Sequence, residues 1–194
     1  MAAINPQPIS GKWRTGFALD VHTVSSVYLG ADQYGHDRYD SKRSEIGELL
    51  YRLKYNRDIS VVPEIVETVS SFLASGMRFD LIIPVPASSH RAIQPVVTIA
   101  QGIGARLAIP VVGCVTATRA TAQLKNVTDH EQRKVLLEGL YEVDATYTQN
   151  KSILLFDDLF RSGATMNAIT DVLYQLGAAA NVFALTLTRT RSNL

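Results

Sequence analysis

The chain has 194 residues, 46% of them hydrophobic, and carries 19 lysines and arginines against 18 acids for a formal net charge of +1. That length and apolar share suit a single domain with one substantial core, and the near-balance of charge gives no global electrostatic reason for a nucleic-acid or membrane partner. The lone cysteine, Cys114, excludes an intramolecular disulfide and a four-cysteine zinc ribbon, and its apolar surroundings from Ile109 to Val115 mark it as a core residue.

Residues 1–14 are polar and proline-bearing and read as a loose lead-in. From Phe17 to Leu29 apolar and polar residues roughly alternate, which predicts two short strands or a hairpin. Asp32 to Ser41 is rich in turn formers, and Ser41 or Ser44 can cap the helix that follows. That helix places Ile46, Leu49, Leu50 and Leu53 on one face. A second helix follows Pro63, with Ile65, Val66, Val69 and Phe72 on its apolar side and Gly76 as its stop. Leu81 to Pro86 is an apolar run of strand length, a helix is expected from Pro95 to Leu107, and a third apolar run spans Ile109 to Val115. Arg119 to Arg133 is polar and reads as a long loop. Strands are expected over 139–145, 151–157 and 181–187, with a helix over 164–176. Apolar strands alternating with helices from 80 to 190 predict an α/β domain with a mostly parallel sheet covered on both faces. His22 and His36 read as surface histidines, and Arg52, Lys54 and Arg57 as a cationic cluster able to meet a partner. No stretch approaches the ~18 apolar residues of a membrane span, and residues 1–6 lack the features of a secretory signal. The protein is therefore expected to be soluble and cytoplasmic.

The most informative segment runs from Ile153 to Thr165. A buried strand delivers two adjacent carboxylates, Asp157 and Asp158, and a short loop then opens a helix. Two neighbouring acids at the edge of a core are costly unless hydroxyls or cations satisfy them. The loop has the parts of a phosphate cradle. Gly163 permits close backbone approach, Ser162 and Thr165 offer hydroxyls, and the helix start presents N–H groups with a positive dipole end. One end of the element suits hydroxyls or a metal ion and the other a phosphate, which is the pattern of a ribose 5-phosphate.

Strand, two acids, two variable residues and a Ser-Gly-Ala-Thr loop resemble the binding motif for PRPP (5-phosphoribosyl 1-pyrophosphate) of type I phosphoribosyltransferases. The resemblance is to the ComF-like (competence protein F) branch and covers about residues 45–190. Leu53-Lys54-Tyr55 is similar to that branch's helix-ending signature, and Pro84-Val85-Pro86 to its strand end. The resemblance implies a type I phosphoribosyltransferase fold over 1–194, with an N-terminal β-containing hood over about 1–42 and an α/β core over 43–194. It implies that Asp157 and Asp158 are the catalytic pair, contacting the ribose hydroxyls and acting by positioning and electrostatics rather than by proton transfer, and that Arg161, Ser162, Gly163, Ala164 and Thr165 wrap the 5′-phosphate. It assigns Ala87, Ser88, Ser89 and Arg91 to a pyrophosphate loop, and Arg119, Gln123, Lys125 and Arg133 to a flexible loop closing over the site. Mg²⁺ would arrive through PRPP itself. The implied activity is transfer of phosphoribose to a nitrogen nucleophile with release of pyrophosphate. The alternative is a non-catalytic PRPP- or nucleotide-binding regulator or scaffold in DNA uptake or processing, and a homodimer is compatible with either. Two departures stand out: Arg161 replaces the family's usual small residue, and the zinc ribbon that often opens ComF-like chains is missing.

Overall fold

The computed structural model describes residues 1–74, 76, 78–87, 93–119, 136, 137 and 139–191. In chain order its strands are β1 (Gln7–Pro8), β2 (Thr15–Val21), β3 (Thr23–Ala31), β4 (Asp37–Arg43), β5 (Leu81–Pro84), β6 (Val115–Ala117), β7 (Tyr141–Val143), β8 (Ser152–Phe160) and β9 (Asn181–Arg189). The helices are α1 (Glu45–Tyr55), α2 (Val62–Leu73), α3 (Pro95–Leu107), α4 (Ala145–Thr148) and α5 (Ala164–Gln175). The central sheet has the order β1-β2-β9-β8-β5, and only β1 runs antiparallel to its neighbour. Val111 adds a parallel bridge to Ile82 beyond β5.

Side chains alternate across each strand, so the sheet feeds two cores. On one face Leu154 and Phe156 of β8 pack with Leu19, Ile82 and Leu185 under α1, α2 and α3. On the other, Ile153 and Leu155 pack with Ala18, Ile83 and Ala184 under Met166, Ile169 and Leu173 of α5. Burial on both faces explains why Ile153 to Phe156 is a continuous apolar run rather than an alternating one. The predicted α/β class, the strands at 81, 151 and 181, the helices over 95–107 and 164–175 and the buried Cys114 all stand in the structure. The run Ile109–Val115, by contrast, supplies only the Val111 bridge and the start of β6, and the expected strand over 139–145 is β7, paired with β6 outside the central sheet.

The N-terminal forty residues differ from expectation. The lead-in is tied down: Ala2, Ile9 and Trp13 are buried, the Ala2 N–H donates to Thr68 Oγ1 at 2.9 Å, and Trp13 Nε1 donates to the Ile9 carbonyl at 3.0 Å. These apolar residues stand singly among polar ones, so no periodicity announces them. The strands between Phe17 and Leu29 do not pair with each other. β2 joins the central sheet beside β9, while β3 pairs with β4, whose residues read as turn. The turn itself is confined to 32–36, where Asp32 Oδ1 accepts the Tyr34 and His36 N–H groups. Within the expected N-terminal hood, β1 and β2 join the central sheet, and the β3–β4 ribbon stands outside it. On that ribbon Val27, Tyr28, Leu29, Tyr34 and Tyr39 are each more than half exposed. Ser44, rather than Ser41, caps α1. It accepts the Gly47 N–H at 3.1 Å and donates to the Val21 carbonyl at 2.6 Å.

Candidate functional site

β8 continues beyond its buried run, and Asp157, Leu159 and Phe160 remain in register with Thr186, Thr188 and Arg189 of β9. This carries the two acids to the carboxyl end of the parallel sheet, where α/β folds place their ligands. Because successive residues of a strand face opposite sides, Asp157 and Asp158 part company.

Asp157 faces the α5 side. With Phe160 and the loop Arg161–Thr165 it lines a pocket of about 150 Å³. Gly163 is the hinge of that loop. Its φ of +72° is left-handed, and a Cβ there would lie 2.8 Å from Phe160 Cε2, so both conformation and space call for glycine. Gly163 is also the N-cap of α5 and has no side chain to cap with, while Ser162 Oγ reaches the Ala164 N–H only at 3.5 Å. The first-turn N–H groups thus lack a side-chain cap, leaving the positive end of the helix open to an anion. Arg161 and Ser162 are exposed, Gly163 is buried, and Ala164 and Thr165 are half-buried. Burial, then the neighbouring Asp158 charge, pushes the Asp157 carboxyl up to about 8. Opposite Asp157 in the register, the buried Thr186 hydroxyl meets no hydrogen-bond partner among the described residues.

Asp158 faces the α1 side and is not free. Lys54 Nζ sits 2.8 Å from its Oδ2, with the two side chains only 18% and 13% exposed. Lys54 occupies the last turn of α1, whose Leu50 and Leu53 are embedded in the core, so helix packing delivers the ammonium to the acid. Nearby, Thr188 Oγ1 donates to the Asp158 carbonyl at 3.3 Å, and His22 Nδ1 lies 3.3 Å from the same hydroxyl. His22 is half-buried, contrary to its reading as a surface residue. Its burial, then Arg43 and Lys54, hold its imidazole below the usual range and favour the neutral ring. His36 is exposed, as expected.

The cationic cluster of Arg52, Lys54 and Arg57 does not exist as one patch, since Lys54 turns inward to Asp158 and Arg52 binds Asp58 at 2.6 Å. Lys54 is the site residue that sequence reasoning missed. The signal available in the sequence is Leu53-Lys54-Tyr55, a cation in the last turn of a helix whose apolar face is buried. Ala87 is exposed just beyond β5, whose end is held beside β8 by the Val85 N–H donating to the Phe156 carbonyl at 2.8 Å. Arg119 is exposed and donates to the Leu136 carbonyl at 3.0 Å. Ser88, Ser89 and Arg91 of the expected pyrophosphate loop, and Gln123, Lys125 and Arg133 of the expected flexible loop, lie outside the described residues. Among the described residues no three His, Cys, Asp or Glu side chains gather to hold a metal ion, and no helix is long and apolar enough to cross a membrane.

No family model matches the sequence, and no curated protein is significantly similar to it. Solved structures are similar in fold. The glutamine phosphoribosylpyrophosphate (PRPP) amidotransferase of B. subtilis, complexed with ADP and GMP, matches 80% of this chain at 16% identity and TM-score 0.51. The match takes in 34% of that enzyme, so the chain spans about a third of its length. Adenine phosphoribosyltransferase from Saccharomyces cerevisiae is 12% identical, with a TM-score of 0.46 over 84% of this chain and 85% of that one. Its counterpart from Trypanosoma brucei is 12% identical, with a TM-score of 0.47 over 96% and 86%. The chain has the α/β fold of type I phosphoribosyltransferases, with a central, mostly parallel sheet flanked by helices.

Proposed function

We propose that the chain is a phosphoribosyltransferase of the ComF-like branch that binds PRPP with Mg²⁺ and transfers its phosphoribosyl group to a nitrogen nucleophile. One observation carries this reading: Asp157 and the glycine-hinged loop Arg161–Thr165 line a single pocket at the carboxyl end of a central parallel strand. In this arrangement the 5′-phosphate lies against the first-turn N–H groups of α5, with Arg161 and Ser162 at the rim. Asp157 takes the ribose hydroxyls. The bond from the anomeric carbon to the pyrophosphate oxygen breaks, a bond from that carbon to nitrogen forms, and the nucleophile sheds a proton. Asp157, in its ionised form, then works by positioning and by opposing the positive charge that builds on the sugar ring. Mg²⁺ belongs to the substrate here, neutralising the leaving pyrophosphate.

A second reading is a non-catalytic PRPP- or nucleotide-binding regulator acting in DNA uptake or processing. It draws on the engagement of Asp158 by Lys54, which leaves the pocket one carboxylate of the pair. Calorimetric titration of PRPP, with and without Mg²⁺, into wild type and Asp157→Asn tests the pocket. Saturable binding that the variant loses supports it, whereas folded wild-type protein that takes up no PRPP at millimolar ligand removes it. Pyrophosphate release during a screen of bases then separates the enzyme from the regulator.

A further inference from the structure

The two acids at the end of β8 are adjacent in sequence and opposite in environment. Asp157 lines the pocket beside Arg161, while Asp158 is clamped at 2.8 Å by Lys54 on the other face of the strand. We infer that Lys54 is a positioning residue of the pocket: by pairing with Asp158, which the alternation of β8 already turns to the α1 side, it quenches the charge next to Asp157 and leaves Asp157 as the carboxylate that meets the ligand. The inference rests on the phosphoribosyl-binding reading of that pocket.

The geometry is specific. Lys54 is anchored by a helix whose apolar face is buried in the core, so its ammonium has little freedom to leave. An ion pair this enclosed interacts strongly, and removing one partner strands the other charge. Asp158 is among the influences that raise the Asp157 carboxyl and Lys54 among those that lower it. His22 lies beside the pair and also feels Arg43 and Glu48, which themselves form an ion pair at 3.1 Å. Without Lys54, the bare Asp158 charge would drive Asp157 further toward its protonated form, which is the poorer acceptor for two ribose hydroxyls.

The experiment follows the Asp157 side-chain carbon by NMR across pH in wild type, Lys54→Met, Lys54→Arg and Asp158→Asn, with calorimetric binding of PRPP and Mg²⁺ at each pH. In Lys54→Met the Asp157 midpoint is expected to rise by about one pH unit, and binding at neutral pH to weaken by about tenfold. Binding should recover as the pH is raised, and Lys54→Arg should restore both readouts. Should Lys54→Met fail to fold, Asp158→Asn carries the test, because it removes the repelling charge and should lower the Asp157 midpoint. A midpoint unmoved in folded Lys54→Met, or in Asp158→Asn, overturns the inference and makes Lys54 a purely structural partner. If the midpoint moves but wild type binds no PRPP, the positioning role stands and the phosphoribosyl reading falls.

Discussion

On the α5 side of β8 everything that makes the pocket is contiguous in the chain. Strand, Asp157, left-handed Gly163 and the uncapped helix start follow one another within a dozen residues, and local backbone geometry assembles them. On the α1 side nothing is contiguous. Lys54 reaches Asp158 only because α1 lays Leu50 and Leu53 into the core beneath the sheet, and His22 reaches Thr188 only because β2 enters beside β9. The first half of the site is built by a motif and the second by tertiary packing. They should therefore fail differently: the motif side through strain and lost ligand contacts, the packed side through stranded charge.

The largest effect is expected from the packed side. Lys54→Met leaves Asp158 buried without its cation, and the loss of stability should be about 3–5 kcal/mol in urea unfolding, with Lys54→Arg much milder. A loss under ~1 kcal/mol would place the pair among surface ion pairs and erase the contrast between the two sides. Next comes Gly163→Ala on the motif side. A Cβ 2.8 Å from the Phe160 ring, on a backbone at φ +72°, should cost about 1–3 kcal/mol. It should also distort the loop enough to weaken PRPP binding. An alanine tolerated without cost would mean that the loop does not need its left-handed hinge.

The same division governs what could be read in advance. The parallel core, its helices and the acid-and-loop segment were legible because each is a local pattern: the continuous apolar run of β8, the i, i+3, i+4, i+7 spacing of α1, a glycine before a helix. The role of Lys54 was not, because a lysine in the last turn of a helix ordinarily faces water, and only the docking of α1 sends it inward. β4 was hidden for another reason. Asp37-Arg38-Tyr39-Asp40 carries turn formers and no core face, and it becomes a strand through pairing with β3, including the contact of Tyr28 with Tyr39 at 5.4 Å between rings. β2 looked like half of a hairpin because alternation does not say which strand a residue will meet.

A pH titration separates the two acids further. The folded Asp157 carboxyl is raised from 3.8 to about 8, so the folded state holds a proton that the unfolded chain has released. That contribution to stability is fully present below 3.8 and is lost as the pH rises toward about 8. Thermal unfolding of wild type and Asp157→Asn should show this directly. Wild type should lose ground to the variant as the pH rises through that window, whereas parallel profiles would mean that Asp157 is ionised in the folded protein at neutral pH.

The smallest stability effect is expected at Ser162, and there binding and folding should come apart most cleanly. Its side chain is exposed, and its one contact within the loop is a long 3.5 Å approach to the Ala164 N–H. Ser162→Ala should therefore leave unfolding within about 0.5 kcal/mol of wild type. If the loop cradles a phosphate, the lost hydroxyl removes a charge-assisted hydrogen bond, worth roughly 1.5–3 kcal/mol, and PRPP binding should weaken by about tenfold or more. Binding unchanged in Ser162→Ala would show that the backbone N–H groups of α5 and Arg161 hold the anion without it. Unfolding shifted as much as in Gly163→Ala would show that the loop is a structural brace rather than a cradle, and the motif side would then differ from the packed side only in its place in the chain.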